Sequence, residues 1–112
     1  NFKIKNVRLN DTNFSKSDTL QINFNITNTG LKYGSEVPQL YIEQNGIKKL
    51  KAFKRIFLNK DESLESSMKV AIKEFQNWDI IKNKYVVKSG DYNIHLGTSS
   101  QDFLFTRNIQ VN

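Results

Sequence analysis

The sequence predicts an all-β sandwich of roughly seven or eight antiparallel strands, and three observations carry that expectation. Apolar residues recur with a period of two nearly everywhere, as half-buried strands require. No stretch holds the 3.6-residue period for the length of a usable helix. Turn-forming residues return at regular intervals between the alternating stretches. With 112 residues, 38% hydrophobic and 25% charged, the chain has the size of one domain spanning 1–112. It can bury about two-thirds of its unfolded surface without a disulfide or a metal.

Taken in order, Phe2, Ile4, Val7 and Leu9 alternate with a phase slip at Lys5-Asn6, as in a bulged opening strand. Asn10 to Ser17 reads as loop. Leu20, Ile22, Phe24 and Ile26 give the cleanest alternation, with Gln21, Asn23, Asn25 and Thr27 on a wet face. Asn28 to Gly34 is turn, where Gly30 and Gly34 are placed to take positive φ. Val37 to Glu43 is the next strand, with Pro38 near its start, and Asn45-Gly46 signals a type I′ hairpin. Leu50 to Leu58 then reads as one strand, which would put Lys49, Lys51, Phe53 and Arg55 on one face.

Leu64, Ser66, Met68, Val70 and Ile72 alternate again. Lys73 to Ile81 (KEFQNWDII) breaks the pattern and sets Phe75 and Trp78 three apart, as in a single helical turn crossing between sheets. Trp78 is expected to plug the sandwich end rather than to serve as a ligand platform. Tyr85 to Val87, a Ser89-Gly90-Asp91 turn and Tyr92, Ile94 and Leu96 read as a second hairpin ending at Gly97. Phe103 to Val111 closes the chain. Tyr92 stands where a tyrosine corner would tie a connection to the sheet. The expected core is Leu20, Ile22, Phe24, Ile26, Leu40, Ile42, Met68, Val70, Tyr92, Ile94 and Leu96.

Seventeen Lys and Arg against eleven Asp and Glu give a formal charge of +6. Only three of the cations are Arg, whereas phosphate and base recognition lean on Arg, so no nucleic-acid partner is expected. Asn, Lys and Ile supply 39 of the 112 residues, the bias of AT-rich codons. No apolar run approaches a membrane span, and no membrane partner is expected. Zero Cys excludes thiolate chemistry and Cys-ligated zinc and leaves the compartment open. The chain opens on Asn1 rather than Met, which predicts a piece of a longer multidomain protein.

From Gln21 to Ser100 the order of residues resembles the fibronectin type III-like, immunoglobulin-like domain at the C-terminal end of family 3 glycoside hydrolases. The blocks are Thr27-Asn28-Thr29-Gly30, Gly34, Glu36-Val37-Pro38-Gln39-Leu40-Tyr41, Leu50-Lys51-Ala52-Phe53-Lys54-Arg55, Leu58, Glu62-Ser63, Trp78-Asp79, Gly90-Asp91-Tyr92 and Gly97-Thr98-Ser99-Ser100. Each is short; their order and spacing carry the likeness. Asn28, Gly30, Gly34, Leu40, Trp78, Gly90, Tyr92 and Gly97 stand as its structural residues. Ala52 replaces the usual Gly, and Asn59 to Glu62 replaces the usual Pro-Gly-Glu turn. The resemblance implies a non-catalytic accessory domain of a β-glucosidase or β-xylosidase, partnered by the catalytic domains of its own parent chain. A periplasmic or secreted parent is expected ahead of a cytoplasmic one.

No catalytic, cofactor or metal site is expected in this chain. Retaining glycoside hydrolysis needs two carboxylates about 5 Å apart in a cleft. The acids are instead spread singly, mostly in turns: Asp11, Asp18, Asp61, Glu62, Asp91 and Asp102. His95 is the only imidazole and is expected as an exposed strand residue. Two alternatives stand beside the accessory domain, a generic adhesion or scaffold sandwich and a carbohydrate-binding module. The latter needs Tyr33, Tyr41 and Trp78 to line one groove, and nothing in the sequence supports it further. The candidate interdomain interface is Gln39, Tyr41 and Phe53, rimmed by Lys51 and Arg55. The phase that buries Leu40 and Ile42 turns Gln39 and Tyr41 outward, and exposed aromatics dominate docking surfaces.

Overall fold

Alternation makes Phe2–Leu9 the opening strand (β1), and the phase slip becomes a bulge: its pairing shifts between Lys5 and Arg8, and Asn6 takes a φ of 54°. Then come Asn13–Phe14 (β2), Thr19–Asn28 (β3), Gly34–Glu36 (β4), Pro38–Gln44 (β5), Ile47–Phe53 (β6), Ile56–Leu58 (β7) and Ser63–Ala71 (β8). A 3-10 turn, Ile72–Phe75, leads to Asn77–Asp79 (β9), Lys84–Val86 (β10), Gly90–Thr98 (β11) and Phe105–Val111 (β12). The computed structural model describes residues 1–99 and 103–112. Ser100 and Asp102 of the motifs above lie outside the described residues.

Seven of these strands are long, and they form two packed layers. One layer is β1-β3-β8, the other β2-β12-β11-β5-β6, with β4-β7 and β9-β10 as two-stranded additions. All eleven expected core residues are buried between the layers. Phe14, Ile56, Leu58, Ile72, Phe75, Ile109 and Val111 complete that core.

Several elements differ from the sequence expectation. The stretch read as loop from Asn10 to Ser17 contains β2, which pairs in parallel with β12 and buries Phe14. One apolar residue shows no period, so only the tertiary contact reveals it. Leu50 to Leu58 is two strands in different sheets, β6 beside β5 and β7 beside β4. The ladder stops where Lys54 N–H reaches the carbonyl of Pro38, because proline has no N–H to extend it. Tyr85 to Val87 does not form a hairpin with β11; β10 pairs back onto β9. Both edges of β11 are already taken by β5 and β12.

Trp78 is half exposed rather than a plug, and Phe75, fully buried with its ring 5.2 Å from that of Tyr92, fills the sandwich end instead. Gly30 and Gly34 do not take positive φ; among the glycines only Gly46 (79°) and Gly90 (122°) do. Gly30 is required by proximity, since a Cβ there would lie 3.1 Å from the Asn1 backbone nitrogen and 3.2 Å from Asn28 Oδ1. The Asn45-Gly46 hairpin is as expected, both residues in the left-handed region of a two-residue turn.

The tyrosine corner is present: Tyr92 donates its hydroxyl proton to the carbonyl of Lys88 at 2.6 Å. Burial pushes its phenol above the ordinary value. An acid whose folded pKa is raised binds more protons folded than unfolded, so stability falls as pH rises past about 10. Tyr92→Phe is expected to cost about 1 kcal/mol at neutral pH and to flatten that alkaline loss, as denaturant melts across the range will show.

Candidate interdomain face

The outer face of the five-stranded sheet is assembled by register. On β5 the outward residues are Gln39, Tyr41 and Glu43, opposite Phe53, Leu50 and Lys48 of β6 and Gly97, His95 and Asn93 of β11. Gln39, Tyr41 and Phe53 therefore share one face. Phe53 is 66% exposed, and Tyr41 donates its hydroxyl proton to Gln39 Oε1 at 3.2 Å.

A bulge at Lys51, between the pairs Leu40–Ala52 and Tyr41–Leu50, reverses the phase of β6. Lys49 pairs with Ile42 and so lies on the opposite face from Phe53, contrary to the simple alternation. Lys51 sits close enough to Lys49 and Glu74 to feel both charges. Burial, with Lys49 adding to it, pulls its ammonium below the ordinary lysine value. Arg55 donates from Nη1 to Ser35 Oγ on β4 at 3.0 Å. Arg55 is thus held toward β4, and Lys51 occupies the bulge beside the Tyr41–Leu50 pair.

The centre of the face is a cluster that sequence reasoning missed. His95 is buried, not exposed: its Nε2 lies 2.7 Å from Glu43 Oε1 and its Nδ1 2.9 Å from Thr106 Oγ1. Phe103 stacks on the imidazole at 4.5 Å and meets Tyr41 edge to face at 5.2 Å, with Lys48 Nζ 4.8 Å from the same ring. Outward phase was legible for His95, but the cover comes from Phe103, beyond the end of β11. Only knowledge of that chain path would have buried it.

The three aromatics required for a sugar groove do not meet. Tyr33, just before β4, stacks on Phe57 of β7, Tyr41 of β5 meets Phe103, and Trp78 meets Tyr85 between β9 and β10. Phe57, Tyr41 and the Trp78–Tyr85 pair belong to three different sheets.

Most of the carboxylates hold the scaffold. Asp11 accepts N–H bonds from Thr12 and Asn13, Asp18 from Ser15, and Glu62 from Asn59. Glu65 pairs with Arg8 at 2.8 Å, and buried Glu36 accepts from Val37 N–H and the Ser99 hydroxyl. Among the described residues no three His, Asp or Glu gather as a metal site.

Asn28, the motif residue at the end of β3, is buried and fully engaged. Its Nδ2 donates to the carbonyls of Lys32 and Leu58, and its Oδ1 accepts from Gly30 N–H at 2.9 Å. One side chain closes the turn and ties it to β7.

Comparison with known proteins agrees with this geometry. The model of the fibronectin type III-like domain family matches residues 36–100. The β-glucosidase cel3A of Pyricularia oryzae is 33% identical over 88 residues, which cover 77% of this chain and 12% of that protein. A putative β-xylosidase of Formosa agariphila is 31% identical over 109 residues, 92% of this chain and 14% of that protein. The crystal structure of a GH3 β-glucosidase from Bifidobacterium adolescentis superposes with a TM-score of 0.84 at 26% identity, over 99% of this chain and 17% of that one. The chain therefore spans about one-eighth of the length of the curated relatives it matches. Family match, two-layer topology and tyrosine corner agree, and the chain belongs to the fibronectin type III-like domain family.

Proposed function

We propose that this chain is a non-catalytic accessory domain of a family 3 glycoside hydrolase of β-glucosidase or β-xylosidase type, packed against the catalytic domains of the same parent chain. The observation that carries this reading is the size of the match. Nearly the whole chain aligns with a small part of a β-xylosidase, and most of it with a small part of a β-glucosidase. The scaffold roles of the carboxylates support it, since they leave no described pair poised in a cleft.

The face carrying Gln39, Tyr41 and Phe53 is the proposed contact. It combines a rigid sheet with a bare aromatic, the arrangement that supplies docking anchors. Activity on an aryl β-glucoside and an aryl β-xyloside separates the readings. The pure 112-residue chain is expected to turn over neither, while the parent enzyme hydrolyses one of them. Turnover by the pure chain, abolished by changing one of its acids, would contradict the proposal.

A further inference from the structure

Among the described residues, strands β9 and β10 form a hairpin that pairs only with itself and stands outside both main sheets. Its base is tied to the sandwich where Lys49 Nζ donates to Asn77 Oδ1. Its turn is closed by Asp79, whose Oδ1 accepts N–H bonds from Ile81 at 2.9 Å and Lys82 at 3.0 Å. That turn presents Ile80 and Ile81 side by side, 83% and 92% exposed, where turns ordinarily carry polar residues. One register step behind, Trp78 and Tyr85 face each other at 5.2 Å with their rings open to solvent. Lys16, Lys73, Lys82, Lys84 and Lys88 line the adjoining depression, with Asp79 the one acid among its lining residues.

We infer that this hairpin docks on an anionic lipid surface. Ile80 and Ile81 enter the boundary between headgroups and acyl chains, Trp78 and Tyr85 lie at headgroup depth, and the lysines meet anionic headgroups. An acidic polysaccharide would use the lysines and the rings but leave both isoleucines in water. A planar anionic surface uses all three layers. No described helix is long and apolar enough to cross a membrane, and the contact inferred here is peripheral, of a kind the absence of an apolar run does not address.

Trp78 is the only tryptophan of the chain, so its fluorescence reports the contact directly. The 112-residue chain is mixed with phosphatidylcholine vesicles containing about 30 mol% phosphatidylserine, with pure phosphatidylcholine vesicles, and with soluble polygalacturonate. The expected result is co-sedimentation and a blue-shifted Trp78 emission with the anionic vesicles alone, weakened by about 0.5 M salt. I80D/I81D should lower partitioning at least about tenfold, and K84Q about fivefold, with melting temperatures unchanged because neither site touches the core. Equal partitioning by I80D/I81D, binding to polygalacturonate in place of vesicles, or no blue shift with anionic vesicles would each overturn the inference.

Discussion

Phe24→Ala is expected to lower the unfolding free energy of the chain by about 3–5 kcal/mol. Phe24 is fully buried at the middle of β3, the central strand of its sheet, so β1 and β8 flank it on both edges. The layers on either side are held by ladders that cannot collapse into a vacated ring volume, which places the cost at the cavity-forming end of large-to-small changes. Urea melts that show a shifted midpoint with an unchanged slope will establish it. A loss under about 1 kcal/mol would mean that the inward phase of β3 has been misassigned.

Asn28→Ala is expected to cost about 3 kcal/mol through a different mechanism. Truncation removes the Nδ2 donor from the buried Leu58 carbonyl and from the Lys32 carbonyl at once, and leaves the Gly30 N–H only its 3.1 Å bond to the Asn1 carbonyl. Orphaned buried groups cost more than the bond itself contributes. Asn28→Asp keeps the acceptor but loses both donors and adds a buried charge, so it should be no better tolerated than alanine. If Asn28→Asp were neutral at pH 7, the donor role assigned to Nδ2 would be wrong.

Gly90→Ala is a third expectation. At a φ of 122° any L side chain is strained, although the nearest atom to a new Cβ, Gln44 Nε2, is 3.9 Å away. Destabilisation of about 1–3 kcal/mol should therefore appear without any steric clash. Calorimetric melting of G90A beside the wild type will measure it.

What the sequence revealed followed from local rules. Period-two alternation identified every residue of the expected core, because each long strand has one face inside and one outside. The bulge near Asn6, the Asn45-Gly46 turn and the Tyr92 corner were legible because each depends on a few adjacent residues. Most of the failures were consequences of chain path. Phe14 is buried by a two-residue parallel pairing with β12, at the far end of the chain. His95 is buried by Phe103, and Phe53 and Lys49 part company through a bulge that no turn residue announces. Phe75 takes the role expected of Trp78 because the 3-10 turn ends at Phe75, leaving Trp78 on a separate hairpin. Of the candidate interface, Gln39, Tyr41 and Phe53 were brought to one face by alternation and register, while Arg55 follows a side-chain partner on β4 that alternation does not encode.

The proposed docking of this domain on its parent enzyme is tested most directly by calorimetry of the 112-residue chain and of the parent, each as wild type and as Phe53→Ala. A contact that stabilises the domain by about 1 kcal/mol raises its melting temperature by roughly 4–8 °C. The domain is therefore expected to unfold at a higher temperature within the parent than alone, with Phe53→Ala lowering that temperature in the parent only. Identical melting of the domain in both settings, or an equal loss from Phe53→Ala in the isolated chain, would contradict the account.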